Sequence, residues 1–309
     1  MGLGKCLPKK RVTNQSLAKK LKTDPDSIVG RTGIRCRHFA GKKESASFLS
    51  AQAAKQALKN AGVTPQEIQL IIGATSSGDY LFPAMACKVQ CLIGASKAAA
   101  FDLSASAAGF LVGISLAADG LRYDLAMKNA LVIGTAVQSP YIDWKTPALA
   151  VLLGDGSGAA LVSRVPEGYG ILASKIISDG RNFEAARLRG GNSRHIEMDG
   201  VVMGREFLKN QPVVIEAALK KADLKLKDVD LFIFHQANAR LIQFLMGRLG
   251  VPISKTHMNI ERVGNTAEAS LPMALYDAQE AGRLKRGQIV VLSAIGAGTI
   301  SAATVLRWY

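Results

Sequence analysis

The sequence predicts an α/β protein built from two similar halves, and an internal repeat is the first observation behind this prediction. Residues 53–72 and 214–233 each contain an amphipathic helix, a polar turn and a buried apolar strand. The matched positions share an offset of 161 residues: Leu58 with Leu219, and Ile68 with Val229. The offset indicates one structural unit that is present twice in the chain.

The second observation is that both units continue in the same alternating order. The helix after Phe110 leads to a strand at 130–134, and the helix after Asn265 leads to a strand at 289–292. Strands that alternate with helices predict mainly parallel sheets with helices packed against them.

We expect the halves to meet near Gly154, which gives a first half of residues 1–155 and a second half of residues 156–309. Two similar halves form a pseudo-dyad, so strand-end loops of both halves are expected to converge. The carboxyl ends of strands are where such sheets bind ligands. The repeat therefore predicts one site shared by the two halves.

Length and composition limit the class of protein. The chain has 309 residues and is 48% hydrophobic, which suffices for one large domain or two fused halves. No apolar run reaches the roughly 18 residues of a membrane span. The beginning of the chain does not have the pattern of a secretory leader. We expect neither a membrane protein nor a secreted one.

The cysteines favour a cytoplasmic location. They are few and scattered, which suits a reducing compartment better than a disulfide scaffold: Cys6, Cys36, Cys87 and Cys91. Cys87 and Cys91 are four residues apart on a helix predicted after Pro83, so half of a metal site is conceivable. No second Cys/His pair lies near them in the sequence, and we expect buried small residues and no metal.

The charge is strongly basic, at +15 with an isoelectric point near 9.8. Such a surface attracts polyanions, although a solubilising role is the simpler interpretation. Aromatic residues make up only 6%, and the basic residues are spread along the chain. Nucleic-acid binding predicts clustered basic residues interleaved with aromatics. An acidic carrier protein or a coenzyme A phosphate therefore fits better.

Residues 101–110 are the most informative segment of the chain. Small residues follow an apolar run and precede an apolar helix, which predicts a strand-to-helix elbow. A residue at such an elbow has its backbone N–H at a helix N-terminus, where a thiol would have a lowered pKa and act as a nucleophile. Ala107 occupies this position.

Five short motifs follow one another between residue 31 and residue 298 and give the chain a family resemblance. They are Arg31-Thr32-Gly33-Ile34, Gly154-Asp155-Gly156-Ser157-Gly158-Ala159, His235-Gln236-Ala237-Asn238, Gly264-Asn265-Thr266 and Gly296-Ala297-Gly298. In this order and spacing the whole chain resembles the 3-oxoacyl-[acyl-carrier-protein] synthase III family of the thiolase superfamily. The resemblance implies a duplicated α/β fold with five layers, αβαβα.

The resemblance also implies a reaction. Family members condense an acyl thioester with malonyl-acyl carrier protein, with loss of carbon dioxide. His235 and Asn265 take the role of two hydrogen-bond donors to the malonyl thioester carbonyl, which stabilise the enolate formed by decarboxylation. Without the resemblance, the simpler interpretation of His235 is a structural residue at a strand end, and that of Asn265 is a helix N-cap.

The family has Cys where this chain has Ala107, and three explanations compete. The first is an engineered Cys-to-Ala change that prevents covalent turnover. The second is a natural variant that keeps only the decarboxylating half. The third recruits Ser104 or Ser106 as the nucleophile, although neither lies at the elbow position. A non-enzymatic protein that binds an acyl carrier or a partner synthase also stays open.

The remaining site residues follow from the resemblance. The oxyanion hole uses the N–H groups of Ala107 and of the turn at Ala297, where small residues let the backbone approach a substrate. The expected substrate contacts are Thr23, Arg31, Asn238 and Phe82, and Phe82 belongs to a segment that crosses a homodimer interface. The substrates are coenzyme A or phosphopantetheine thioesters, and no cofactor is expected.

Two further features concern the acyl donor and its carrier. Family members stack the adenine of coenzyme A between a Trp and an Arg side chain. This chain has Ser27 and Pro147 at those positions. The difference favours an acyl donor bound to the carrier protein over one bound to coenzyme A. Arg240 and Arg248 share a predicted helix face that would dock the acyl carrier protein. The loop 187–195 contains three Arg residues that could meet a carboxylate or the carrier, or could form a solvated surface loop.

Overall fold

The computed structural model describes residues 2–189 and 195–309. The ten helices within these residues are α1 (Asn14–Leu21), α2 (Pro25–Thr32), α3 (Ala46–Ala61), α4 (Met85–Ile93), α5 (Gly109–Tyr123), α6 (Pro147–Ala150), α7 (Gly200–Lys221), α8 (Ala239–Arg248), α9 (Ile260–Val263) and α10 (Ser270–Glu280). The strands of the described residues are β1 (Gly2–Cys6), β2 (Lys10–Thr13), β3 (Cys36–Phe39), β4 (Leu70–Ala74), β5 (Ala99–Leu103), β6 (Asn129–Ala136), β7 (Gly156–Ser163), β8 (Gly170–Ile177), β9 (Ala186–Leu188), β10 (Ile196–Met198), β11 (Leu231–Phe234), β12 (Ile289–Gly296) and β13 (Ile300–Arg307).

Two main sheets share the same strand order, which confirms the predicted duplication. The first sheet runs β1-β7-β6-β4-β5 and the second runs β8-β13-β12-β11. The place that β5 takes beside β4 is taken in the second sheet by a single parallel bridge between Phe232 and Thr256. The halves therefore match strand for strand apart from one short edge element.

Helices separate and cover the sheets to give the five predicted layers. Helix α3 covers the outer face of the first sheet and α7 covers the outer face of the second. Helices α5 and α10 lie between the sheets, where apolar residues of both halves form one buried cluster around Phe110 and Leu271. The burial of this central layer joins the two halves into one core.

Two expectations about the sheets need correction. Both sheets are mixed rather than mainly parallel, because β6 turns back into antiparallel β7 and β12 turns back into antiparallel β13. Strand β7 belongs to the first sheet, so the boundary between sheets falls between Ser163 and Gly170 and not at 155/156. The glycine-rich loop before β7 resembles a division in the sequence, but it connects neighbouring strands of one sheet.

The repeat also holds at the level of backbone conformation. Helix α5 begins at Gly109 and α10 begins at Ser270, again 161 residues apart. Each is preceded by a short 3-10 turn that opens with a left-handed residue: Ser106 at φ 47° and Ala267 at φ 39°. Left-handed backbone is costly for residues with a side chain and is concentrated at functional sites. The two turns are therefore candidates for the functional site.

Candidate active site

The two 3-10 turns line one cavity of about 560 Å³, together with the ends of β11 and β12. Ala107, His235, Asn265 and Ala297 all face this cavity, so the structure brings together the four residues expected to form the reaction centre. They come from both halves, as the predicted pseudo-dyad requires.

Ala107 lies in the turn between β5 and α5 and is 5% exposed. The turn packs against the end of β12, where only glycine fits. A Cβ atom on Gly296 would lie 2.4 Å from the carbonyl oxygen of Ala105 and 3.1 Å from the nitrogen of Ala107. The close approach brings the backbone of Ala107 beside the turn that contains Ala297, as an oxyanion hole shared by the two segments requires.

His235 follows β11 and is fixed through its backbone N–H and its ring Nδ1 atom. Its backbone N–H donates to the carbonyl of Ser293 at 2.8 Å, and its Nδ1 lies 2.5 Å from the Oγ of Ser270. Burial lowers the pKa of His235 to about 4, so the imidazole is neutral at pH 7. When the Ser270 hydroxyl donates to Nδ1, the ring proton is on Nε2, and that nitrogen can donate into the cavity.

Asn265 is held by its backbone and by its own side chain. Its N–H donates to the carbonyl of Leu152, and its carbonyl accepts from the N–H of Gly154. The Oδ1 atom accepts from the N–H of Ala267 at 3.0 Å, which leaves the amide NH₂ as the donor end. Gly264 precedes it at φ 72°, a conformation that favours glycine. The structure thus prepares a second donor beside His235.

Ser104 and Ser106 also line the cavity. Within residues 2–189 and 195–309, neither hydroxyl hydrogen-bonds to His235, whose ring is bonded to Ser270 instead. A serine without an adjacent base is a poor nucleophile. The geometry therefore disfavours a serine replacement for the missing thiol.

The expected substrate contacts lie outside the reaction centre. Thr23 is half-buried between α1 and α2, and Arg31 is exposed on α2, with its Nε donating to the carbonyl of Ser27 at 3.3 Å. Asn238 caps α8 by accepting from the N–H of Arg240 and donates to the carbonyl of Arg31. Arg31 and Asn238 therefore lie in the contact between α2 and α8, and the role of all three residues toward a substrate stays a prediction.

The two arginines that the sequence analysis assigns to carrier docking are exposed on α8 and have backbone partners. Arg240 donates to the carbonyls of Val29 at 3.0 Å and Gly30 at 2.8 Å, so it joins α8 to the end of α2. Arg248 donates to the carbonyl of Leu208. Both residues are exposed, but each side chain also has a structural function that the sequence did not indicate.

The arginines at the cavity rim are already paired. Arg187 lies on β9 and Arg189 follows it. Both side chains bind the carboxylate of Glu197 on β10, Arg187 at 2.7 Å and Arg189 at 3.0 Å. Arg187 also pairs with Glu184. These pairs weaken the expectation that Arg187 and Arg189 bind a carboxylate of the substrate, because the carboxylate of Glu197 already binds both. Residues 190–194 of that predicted loop, which include Arg194, lie outside the described residues.

The segment around Phe82 is strongly exposed. Leu81 is 100% exposed and Phe82 is 85% exposed, while Leu81 also lines the cavity. Phe101 on the edge strand β5 and Leu92 on α4 are exposed apolar residues as well. Exposed apolar patches mark interaction sites. This surface is where the sequence placed a homodimer interface.

No helix among the described residues is both long enough and apolar enough to cross a membrane. No group of three or more potential metal ligands occurs in that part of the chain either. Cys87 and Cys91 lie on α4, as expected, but the expectation that both are buried is wrong, because Cys91 is exposed and Cys87 is half-buried. All four cysteines are free thiols.

The sequence did not identify two polar groups of the cavity. Ser270 fixes the His235 ring, and Glu268 is a cavity carboxyl that is 2% exposed. A signal was available for Glu268, because it is the only charged residue between Arg262 and Asp277. No comparable sequence signal singles out Ser270.

Comparison with known proteins agrees with the fold and with the chain-wide motifs. The family model for 3-oxoacyl-[acyl-carrier-protein] synthase III matches residues 101–180, and the model for its C-terminal part matches residues 219–308. A β-ketoacyl-[acyl-carrier-protein] synthase III from Sphingopyxis alaskensis is 40% identical over 99% of this chain and 97% of its own length. The chain belongs to the 3-oxoacyl-[acyl-carrier-protein] synthase III family.

Solved structures of family members superpose closely on this one. The synthase III from Aquifex aeolicus is 37% identical, with a TM-score of 0.95 over 99% of this chain and 98% of its own. The enzyme from Pseudomonas aeruginosa is 33% identical, also with a TM-score of 0.95, over 99% of this chain and 96% of its own. The thiolase fold and the family membership predicted from sequence are confirmed.

Proposed function

We propose that this protein has a β-ketoacyl-acyl carrier protein synthase III site that binds a malonyl thioester and decarboxylates it, and that condenses the resulting enolate with an acyl group only when residue 107 is Cys. The observation that carries the proposal is the meeting of His235, Asn265 and the Ala107 elbow in one cavity. The family relationship supports the same activity.

Two neutral donors suit the decarboxylation step. When the malonyl thioester loses carbon dioxide, the electron pair of the broken C–C bond forms an enolate, and negative charge develops on the thioester oxygen. The Nε2–H of His235 and the amide NH₂ of Asn265 can donate to that oxygen. Donors fixed in a buried site stabilise a developing charge more than mobile water does. Because burial keeps His235 neutral, it can donate a hydrogen bond without bringing a charge.

Ala107 limits what the chain can do as written. A methyl group cannot attack a thioester, so no acyl-enzyme forms at this position. The backbone donors of the elbow do not depend on the side chain, and the acyl-transfer oxyanion hole at Ala107 and Ala297 is retained. Decarboxylation without acyl transfer is expected whether Ala107 is an engineered or a natural residue.

The proposed partners are acyl carrier protein, thioester substrates and a second copy of this chain. Arg240 and Arg248 on α8 form the carrier-docking face, supported by their exposure and by the net charge of +15. The thioester is carried by phosphopantetheine on the carrier or by coenzyme A, and no metal or other cofactor takes part. The free thiols of all four cysteines support a cytoplasmic location.

The test of the proposed function uses the chain as written with malonyl-acyl carrier protein. Carbon dioxide release and acetyl-carrier formation are measured together, and a His235→Ala/Asn265→Ala double variant serves as the control. We expect acetyl-carrier and carbon dioxide in equal amounts from the parent and a loss of both in the double variant. A parent that binds the carrier but releases no carbon dioxide would instead be a non-catalytic binding protein.

A further inference from the structure

Glu268 is a buried carboxyl group that the proposed steps leave unused. It lies in the 3-10 turn before α10, is 2% exposed and lines the same cavity as Ala107 and His235. The hydroxyl of Ser76 donates to its Oε1 at 2.5 Å. Within the described residues it forms no ion pair. A buried carboxylate without a charged partner costs free energy of folding. Such a group is therefore expected to be protonated or to take part in function.

Its position in the repeat relates it to the missing nucleophile. Glu268 follows Ala107 by 161 residues, the offset that matches the two halves, and each is the central residue of its 3-10 turn. The two turns contact each other, and a Cβ atom on Gly109 would lie 3.9 Å from the Cγ of Glu268. The carboxyl is thus the pseudo-symmetric counterpart of the nucleophile position and lies beside the same elbow.

The surroundings of Glu268 allow both the protonated and the ionised form of its carboxyl group at neutral pH. Burial raises the pKa of Glu268 to about 7, while the Ser76 hydrogen bond lowers it. A group whose pKa matches the working pH is the best placed to give up and regain a proton.

A site that decarboxylates without a bound acyl acceptor needs such a proton source. In a condensation the enolate carbon attacks the acyl group, but with Ala107 no acyl group is held at the elbow. The enolate carbon must then take up a proton. Resting on the proposed decarboxylation, we propose that Glu268, held by Ser76, is the catalytic acid that protonates the enolate carbon and releases an acetyl thioester.

The step balances without a further reactant. The bond between the malonyl carboxylate and the α-carbon breaks, its electron pair forms the enolate, and carbon dioxide leaves. The α-carbon then takes the proton of the Glu268 carboxyl, which becomes a carboxylate, and the enolate oxygen returns to a carbonyl. Water reprotonates Glu268, so the net change consumes one proton and yields acetyl thioester and carbon dioxide.

The experiment measures kcat and KM for decarboxylation of malonyl-pantetheine between pH 5.5 and pH 9, for the parent, Glu268→Gln and Ser76→Ala. The matched control is Glu206→Gln on α7, a buried glutamate whose oxygens face Asn182 and Asn210 rather than the cavity. Circular dichroism confirms that each variant is folded.

We expect the parent kcat to fall as pH rises above about 7, because the carboxyl loses its proton. Glu268→Gln should lower kcat by about 10–100-fold at pH 6.5, remove this break and leave KM within twofold, in keeping with the size of general acid effects. Ser76→Ala should move the break to higher pH, because the hydrogen bond that favours the carboxylate is lost. Glu206→Gln should match the parent.

The outcomes separate the two proposals. A Glu268→Gln variant with the parent's rate and pH profile overturns the role of Glu268 and leaves decarboxylation intact. A break that does not move in Ser76→Ala assigns the titration to another group and also overturns it. A parent that releases no carbon dioxide at any pH overturns both proposals.

Discussion

The Oγ atom of Ser270 lies 2.5 Å from the Nδ1 atom of His235, and the same hydroxyl accepts the backbone N–H of Gln236 at 3.2 Å. Ser270 begins α10, five residues after Asn265, so one short segment supplies a donor and orients the other. The contact with Ser270 sets the direction in which the His235 ring can donate.

Ser270→Ala should therefore disturb the tautomer of His235 rather than remove the ring. Nitrogen NMR of the imidazole should show the Nε2–H form in the parent and a mixture of tautomers in the variant. We expect kcat for decarboxylation to fall by about tenfold with little change in KM, which is the size of a lost orienting hydrogen bond. An unchanged tautomer with a reduced rate would place the effect of Ser270 elsewhere.

Single changes at the two donors test whether they act together. His235→Ala and Asn265→Ala should each reduce kcat by about 10²–10³-fold, as the loss of one preorganised donor does. The double variant should lose less than the product of the two, because both donors bind one oxygen. His257→Ala, at a half-buried histidine that does not line the cavity, is the control and should keep the parent rate.

Much of this site could be predicted from the sequence because it depends on local motifs. The elbow, the strand-end His235 and the Gly264-Asn265 turn are contiguous signals, and the 161-residue offset placed them on one pseudo-dyad. The mixed sheets and the boundary after Ser163 could not be predicted, because strand direction depends on long-range pairing. The Ser270 contact depends on the rotamer and packing of α10, which no short motif specifies.

The stability of the protein should depend on Glu268 in a pH-dependent way. Its folded pKa of about 7 lies above the ordinary value of 4.5, so the folded state keeps a proton that the unfolded chain releases between those values. The stabilisation that this retained proton gives the folded state is fully present below pH 4.5 and is lost as pH rises through 7. Relative to Glu268→Gln, the parent should lose roughly 3 kcal/mol of unfolding free energy between pH 4.5 and pH 8.

Urea unfolding of both proteins at several pH values checks this prediction. The difference between them should grow steadily with pH over the window and then become constant. Glu206→Gln is again the matched control for a buried glutamate. A difference that is independent of pH would show that the carboxyl does not titrate in this range.

The exposed apolar residues at the edge of the first sheet predict a homodimer. Leu81→Asp together with Phe82→Asp should convert the protein to a monomer in size-exclusion chromatography with light scattering, because charges at an apolar interface are not solvated. Activity should also fall, since Leu81 lines the cavity. Leu125→Asp, an exposed apolar residue that follows α5, is the control and should leave the assembly unchanged. A parent that is already monomeric would contradict the prediction.

The central claim is that this is a condensing site that lacks only its nucleophile. The direct measurement is intact-mass spectrometry of the parent and of Ala107→Cys after incubation with acyl-coenzyme A or acyl-carrier protein of several chain lengths, followed by malonyl-carrier protein. We expect no adduct on the parent. In Ala107→Cys we expect one acyl group on Cys at position 107 and a 3-oxoacyl product. A folded Ala107→Cys protein that neither acylates nor condenses any donor, or a stoichiometric adduct on Ser104 or Ser106 of the parent, would contradict the account.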